Sequence, residues 1–182
     1  IHNVTVTGDT RFDRVQEVRN QAKDLPLIDK FVHNEKGEKQ LTLVAGSSWP
    51  QDEQVIIPYF NKQERMKLII APHEIHQSHL VSIAALLERP FIRLTEVQSE
   101  KDLEGKDCLI IDNFGLLSSV YRYGEMAYIG GGFGVGIHNT LEAAVYGIPV
   151  LFGPNYKKFK EAKDLIEVGG GFSIHSIAEF ED

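Results

Sequence analysis

Hydrophobic positions along this chain fall into two kinds of segment that alternate. The first kind is short and almost continuously apolar, at residues 40–46 (QLTLVAG), 67–72 (KLIIAP), 90–95 (PFIRLT), 107–112 (DCLIID), 126–131 (MAYIGG) and 149–153 (PVLFG). Strands of that composition are buried on both faces, the condition of a parallel sheet covered by helices. The second kind mixes apolar and polar positions at helical spacing, at 52–63, 76–88, 116–124, 139–147 and 159–169. Strand and helix in such succession predict an α/β fold, a doubly wound, mostly parallel sheet of about six strands with helices on both faces. Residues 1–40 break the rhythm with a charged amphipathic stretch, RVQEVRNQAKD, and a turn signal around Gly37. They are expected to form a lead-in of helices beside the sheet, with the domain proper spanning 41–182.

Composition narrows the function. A length of 182 residues suits one domain with a sizeable core, and 42% hydrophobic with 25% charged residues is the balance of a folded globular protein. No apolar run approaches the roughly 18 residues that span a bilayer. A net charge of −7 lacks the basic stripe that phosphate-backbone binding needs, so no nucleic-acid partner is expected. Cys108, the single cysteine, sits inside an apolar run, where it reads as a small buried hydrophobe without an internal disulfide partner. The opening at Ile1 and the close on SIAEFED, where a helix begins, suggest a piece of a longer chain.

In open α/β sheets ligands bind beyond the carboxyl ends of the strands. The residues there are Gly46-Ser47-Ser48, Pro72-His73-Glu74, Asp112-Asn113-Phe114-Gly115, Gly130 to Asn139, and Gly153-Pro154-Asn155. Five glycines fall between Gly130 and Gly136, and then comes a helix for which Asn139 or Thr140 is the expected cap. Free amides at a helix N-terminus suit an anion, and phosphate is the natural candidate. A second helix start after Gly115 offers the same chemistry. Glu142, one turn into its helix, suits either a capping interaction or a ribose diol, and its spacing favours neither. A tight turn is the structural alternative for the glycine run, and capping of the helix near Pro50 is the alternative for Ser47 and Ser48. Neither G-x-G-x-x-G nor a P-loop is present, and the spacing of His73, His76 and His79 does not make a zinc motif.

GSS at 46–48, PHE at 72–74, IDNFGLL at 111–117 and IGGGFGVGIHNTLEAAVYGIPVLFGPNYKKF at 129–159 together resemble the C-terminal half of 3-deoxy-D-manno-octulosonic acid (Kdo) transferases. TGDTRFD at 7–13 resembles the segment that enters the second domain of that family. These are GT-B glycosyltransferases, so the resemblance implies a Rossmann-like fold and transfer of Kdo from CMP-Kdo to a lipid A precursor in lipopolysaccharide synthesis. It implies nucleotide binding by Gly46, Ser47, Ser48, His73, Asn113, Gly115, Leu116, Leu117, Gly131, Gly132, His138, Asn139 and Glu142. It implies no catalytic residue in this half, no metal and no cofactor. It also implies a cytoplasmic enzyme at the inner face of the inner membrane. Pro72 stands where the family has arginine, Leu116 where it has glutamate, Phe133-Gly134 where it has serine-leucine and Ile137 where it has glycine. Lys157 or Lys158 is the candidate for the missing positive charge. Other GT-B nucleotide-sugar enzymes, such as UDP-sugar transferases or 2-epimerases, and a non-catalytic nucleotide-binding module are the alternatives.

Overall fold

In the computed structural model, which describes residues 10–181, the chain runs α1 (Thr10–Asn20), α2 (Pro26–Val32), β1 (Thr42–Ser48), α3 (Pro50–Lys62), β2 (Lys67–Pro72), α4 (Gln77–Leu86), β3 (Phe91–Arg93) and β4 (Cys108–Ile110). It continues α5 (Leu117–Val120), β5 (Met126–Ile129), α6 (Leu141–Ala144), β6 (Val150–Phe152), α7 (Lys160–Glu167), β7 (Gly171–Ser173) and α8 (Ile177–Glu181). One sheet holds seven strands in the order β3-β4-β2-β1-β5-β6-β7. Every pairing is parallel. The six apolar runs all form strands. β7 is the addition to the six expected: it lies in a glycine-rich stretch at the sheet edge, and its Phe172 is half exposed, so it lacks a continuous apolar run.

Side chains alternate across the strands and build two layers. Leu43, Ala45, Leu68, Ile70, Cys108, Ile110 and Tyr128 pack on one face with Ile56, Ile57 and Phe60 of α3, Leu80 and Ile83 of α4 and Phe180 of α8. Val44, Ile69, Leu109, Ala127, Ile129, Val150 and Phe152 pack on the other with α2, Val120 of α5, Ala143 of α6 and Ala162 of α7. Each fully buried aliphatic side chain in these layers contributes about 1.5–3 kcal/mol relative to exposure. Cys108 is fully buried, and that burial pushes its thiol up, out of reactive range.

The lead-in is sewn onto the second layer. Ile28, Phe31 and Val32 of α2 belong to the same buried cluster as the sheet. Leu25 N donates to the Tyr123 hydroxyl (2.8 Å) and Lys23 N to Ser119 Oγ (3.1 Å). An antiparallel bridge between His33 and Lys39 closes the turn around Gly37. Among the described residues no helix is long and apolar enough to cross a membrane.

β1 has β2 on one side and β5 on the other. The chain moves outward from β1 to β2 and on to β3 at the edge, fills the gap between them with β4, then returns to lay β5 beside β1. The winding direction reverses between these two strands, so a crevice opens beyond their carboxyl ends.

Candidate functional site

The crevice floor is made of backbone. Ser47, at φ 52°, is the only non-glycine residue of positive φ among those described, and it sits where the β1–β2 register shifts. Its carbonyl packs directly against Gly130, where a β-carbon would overlap it, and Gly132 packs the same way against Gly153. Gly130 and Gly132 are therefore required by the chain's own crossing segments, whereas Gly134 faces open space. The amides of the run are also largely taken: Gly130 N donates to Gly46 O (2.9 Å), Gly131 N to the Asp52 carboxylate (2.8 Å), and Gly134 N and Gly136 N to Gly131 O (3.0 and 2.9 Å). This corrects the expectation of a glycine loop that presents free amides to an anion. Gly131 and Gly132 are buried beneath the site, and Gly46 is a packing glycine under Tyr121 and Leu117.

Two junctions do converge. Gly115, Leu117 and Ser118, leading into α5, and Ile137, His138, Asn139 and Glu142, leading into α6, line one cleft of about 610 Å³, closed by Val15, Phe159 and Glu161. Asn139 organises its rim: its Oδ1 accepts from Leu141 N (3.1 Å) and its Nδ2 donates to Glu142 (3.2 Å). Thr140, the other expected cap, is fully buried and its hydroxyl has no hydrogen-bond partner among the described residues. α5 and α6 are four residues each, so their aligned peptide dipoles are few. Attraction for an anion must come from local N–H and side-chain donors more than from a helix field. The charged side chains on the lining are Glu142 and Glu161. Lys157 and Lys158 are exposed and lie off the lining.

The remaining expected residues are spread around this cleft. Asn113 is exposed and Leu116 packs at the margin of the core. Asp112 accepts from the amide and hydroxyl of Thr95, which ties β4 to the β3 turn. Ser48 is buried and donates to Glu53 (2.9 Å), so it faces the interior. The three histidines go separate ways. His79 is buried against Glu53 (2.9 Å), His76 caps α4 by accepting from His79 N (3.2 Å), and His73 stacks on Trp49 at 4.6 Å. Desolvation raises Glu53 above the usual carboxylate range, against the lowering contacts of His79 and Ser48. TGDTRFD reaches the described residues only from Thr10 onward; 7–9 lie outside them.

Two residues that hold the site together were not singled out by the sequence. Asp52 is fully buried and accepts from Trp49 N (2.9 Å), Gly131 N (2.8 Å) and the Tyr128 hydroxyl (2.8 Å). Trp49 stacks on His73, which in turn packs against His138 with ring centroids 4.5 Å apart, and Trp49 Nε1 lies 3.1 Å from His138 Nε2. The signals were present as an acidic residue three positions into a helix opened by Pro50 and as a lone tryptophan at a strand end. Burial first, and then the neighbouring His73, hold His138 below the usual imidazole range; Asp52 acts in the opposite sense.

A parallel doubly wound sheet with its cleft at the β1/β5 switch defines a Rossmann-like domain. No protein-family model matches the chain. It is 33% identical over 143 residues to the 3-deoxy-D-manno-octulosonic acid transferase of Aquifex aeolicus (strain VF5), covering 75% of this chain and 39% of that protein. It is 35% identical over 145 residues to that of Chlamydia muridarum (strain MoPn / Nigg), covering 75% and 33%. The crystal structure of the C-terminal CMP-Kdo binding domain of WaaA from Acinetobacter baumannii superimposes with a TM-score of 0.67, at 20% identity, over 94% of this chain and 85% of that one. The chain belongs to the Kdo transferase family as a counterpart of its C-terminal domain. It spans well under half of the curated relatives it matches, 39% in the Aquifex case.

Proposed function

We propose that the cleft binds CMP-Kdo and that the parent protein is an inverting glycosyltransferase that passes Kdo to a lipid A precursor in lipopolysaccharide synthesis. The observation that carries this reading is the convergence of Gly115–Ser118 and His138–Glu142 on one cleft at the switch point. Residues 41–182 then form the nucleotide-sugar unit and residues 1–40 the approach from an N-terminal acceptor domain. A carboxylate base in that domain takes the proton of the acceptor hydroxyl as its oxygen attacks the anomeric carbon of Kdo. The anomeric C–O bond to phosphate breaks, and CMP leaves with the electron pair. Asn139, Glu142 and the Gly115 turn orient the nucleotide, and nearby N–H donors stabilise the charge that grows on its phosphate. No residue of this chain is assigned the proton transfer, and the reading requires no metal or cofactor from it. The acceptor and the cytoplasmic face of the inner membrane meet the protein through its other half.

Calorimetric titration of the chain with CMP, CDP, UDP and NAD tests the reading. A preference for cytidine nucleotides is expected. A preference for UDP would move the chain to another GT-B enzyme, and equal indifference to all four would remove the nucleotide site.

A further inference from the structure

An indole N–H donates and cannot accept, so the nitrogen it meets must offer a lone pair. With Trp49 Nε1 3.1 Å from His138 Nε2, neutral His138 carries its proton on Nδ1. Protonating the ring would set N–H against N–H at that contact. We propose that Trp49 is a positioning residue that holds His138 as the neutral Nδ1–H tautomer, so that the cleft presents an uncharged hydrogen-bond donor to the phosphate of its ligand. The ligand half of this inference rests on the nucleotide reading above; the tautomer half does not.

The surroundings of both rings support the assignment. Trp49 is fixed at the start of α3 by the hydrogen bond its backbone N–H donates to Asp52, and the same carboxylate oxygen accepts from Gly131 N in the loop that carries His138. The Cδ2 edge of His138 faces Gly131, where an added β-carbon would lie 3.3 Å away, and Nε2 faces Trp49. Nδ1 remains as the ring nitrogen without a hydrogen-bond partner among the described residues, on a residue of the cleft wall. His73 lies 4.5 Å from the ring on the β2–α4 side, Asp52 acts on it from α3, and Glu142 and Glu161 share the cleft lining. Burial and His73 together outweigh Asp52 and favour the neutral ring. A phosphate leaving group departs without a proton, so a neutral donor suits it. The bond strengthens as negative charge develops and transfers nothing.

Long-range proton–nitrogen spectra of the 182-residue chain, labelled at the histidine nitrogens, read the tautomer directly in the absence of ligand. His138 is expected to show a protonated Nδ1 and a bare Nε2. Trp49→Phe keeps a ring in place and removes the donor. It should move the proton toward Nε2, raise the titration midpoint of His138, and weaken CMP binding about tenfold above that midpoint. Below it the deficit relative to wild type should shrink, because imidazolium restores the Nδ1–H; a purely structural lesion would leave a deficit constant with pH. Should Trp49→Phe fail to fold, the wild-type spectrum and a pair of variants decide. Asparagine places an amide N–H near the Nδ1 position and glutamine places it near Nε2, so His138→Gln should lose about tenfold more CMP affinity than His138→Asn. An Nε2–H tautomer in wild type, an unchanged tautomer in Trp49→Phe, or the reverse order in the pair overturns the proposal. A confirmed Nδ1–H tautomer with no CMP binding overturns the phosphate role and leaves the Trp49–His138 lock standing.

Discussion

The chain leaves its central strands twice at the switch point, from β1 into α3 and from β5 into α6, and the two exits treat polar groups in opposite ways. After β1 the polar side chains are consumed internally: Asp52 accepts three hydrogen bonds, Ser48 donates to Glu53, Glu53 meets His79, and α3 runs for 13 residues. After β5 the helix has four residues, and Asn139 and Glu142 bond each other and one amide at the wall of an open cleft. The same strand-turn-helix grammar gives a strut in one place and the wall of an open cleft in the other. What separates them is whether the chain saturates its own donors and acceptors.

That contrast breaks first at Asp52. Asp52→Ala strands the Trp49 amide, the Gly131 amide and the Tyr128 hydroxyl in the interior, and should cost roughly 3–5 kcal/mol in urea unfolding. A loss under about 1 kcal/mol would show that the strut does not depend on it. Gly130→Ala comes next, at about 2–3 kcal/mol, because its β-carbon meets the Ser47 backbone and no rotamer change relieves the overlap. Gly134→Ala, in open space within the same run, is the control and should stay within about 0.5 kcal/mol. On the cleft side the order of effects inverts. Glu142→Ala should alter stability by less than about 0.5 kcal/mol and weaken CMP binding about tenfold, read by calorimetry. Unchanged affinity would take Glu142 out of the site.

The smallest expected effect is a slope with pH. Desolvation raises Glu53 in the folded state, so the fold favours its protonated form. Its contribution is fully present below the unfolded carboxylate value and is lost as pH rises through the raised folded value. Glu53→Gln should therefore gain stability relative to wild type as pH climbs from about 4.5 toward neutrality. Parallel unfolding curves across that range would show that His79 and Ser48 fully offset the burial.

The sheet was legible because its interior strands have no polar face. β7 was not, because an edge strand of glycine, phenylalanine and serine needs a neighbour to define it. His138, Asn139 and Glu142 were legible as a set and do share a wall with the Gly115 turn. The glycines misled in a specific way: close approach was the right physics, but the partner is the chain's own backbone at Ser47 and Gly153. The local capping contact between Trp49 and Asp52 could be read from spacing, but their further partners lie far along the chain, at Tyr128, Gly131 and His138, and local spacing carries no trace of those pairings.

The contacts of Gly130 with Ser47 and of Gly132 with Gly153 draw together turns from the first, fifth and sixth strands. Contacts so distant along the chain form late, after much loop entropy has been lost. During synthesis the early strands can collapse with α3 and α4 while the cleft does not yet exist. A polypeptide cut just before the sixth strand would keep five of the seven strands but lack Phe159 and Glu161 of the cleft wall, so the cleft is completed only after the sixth strand has been made.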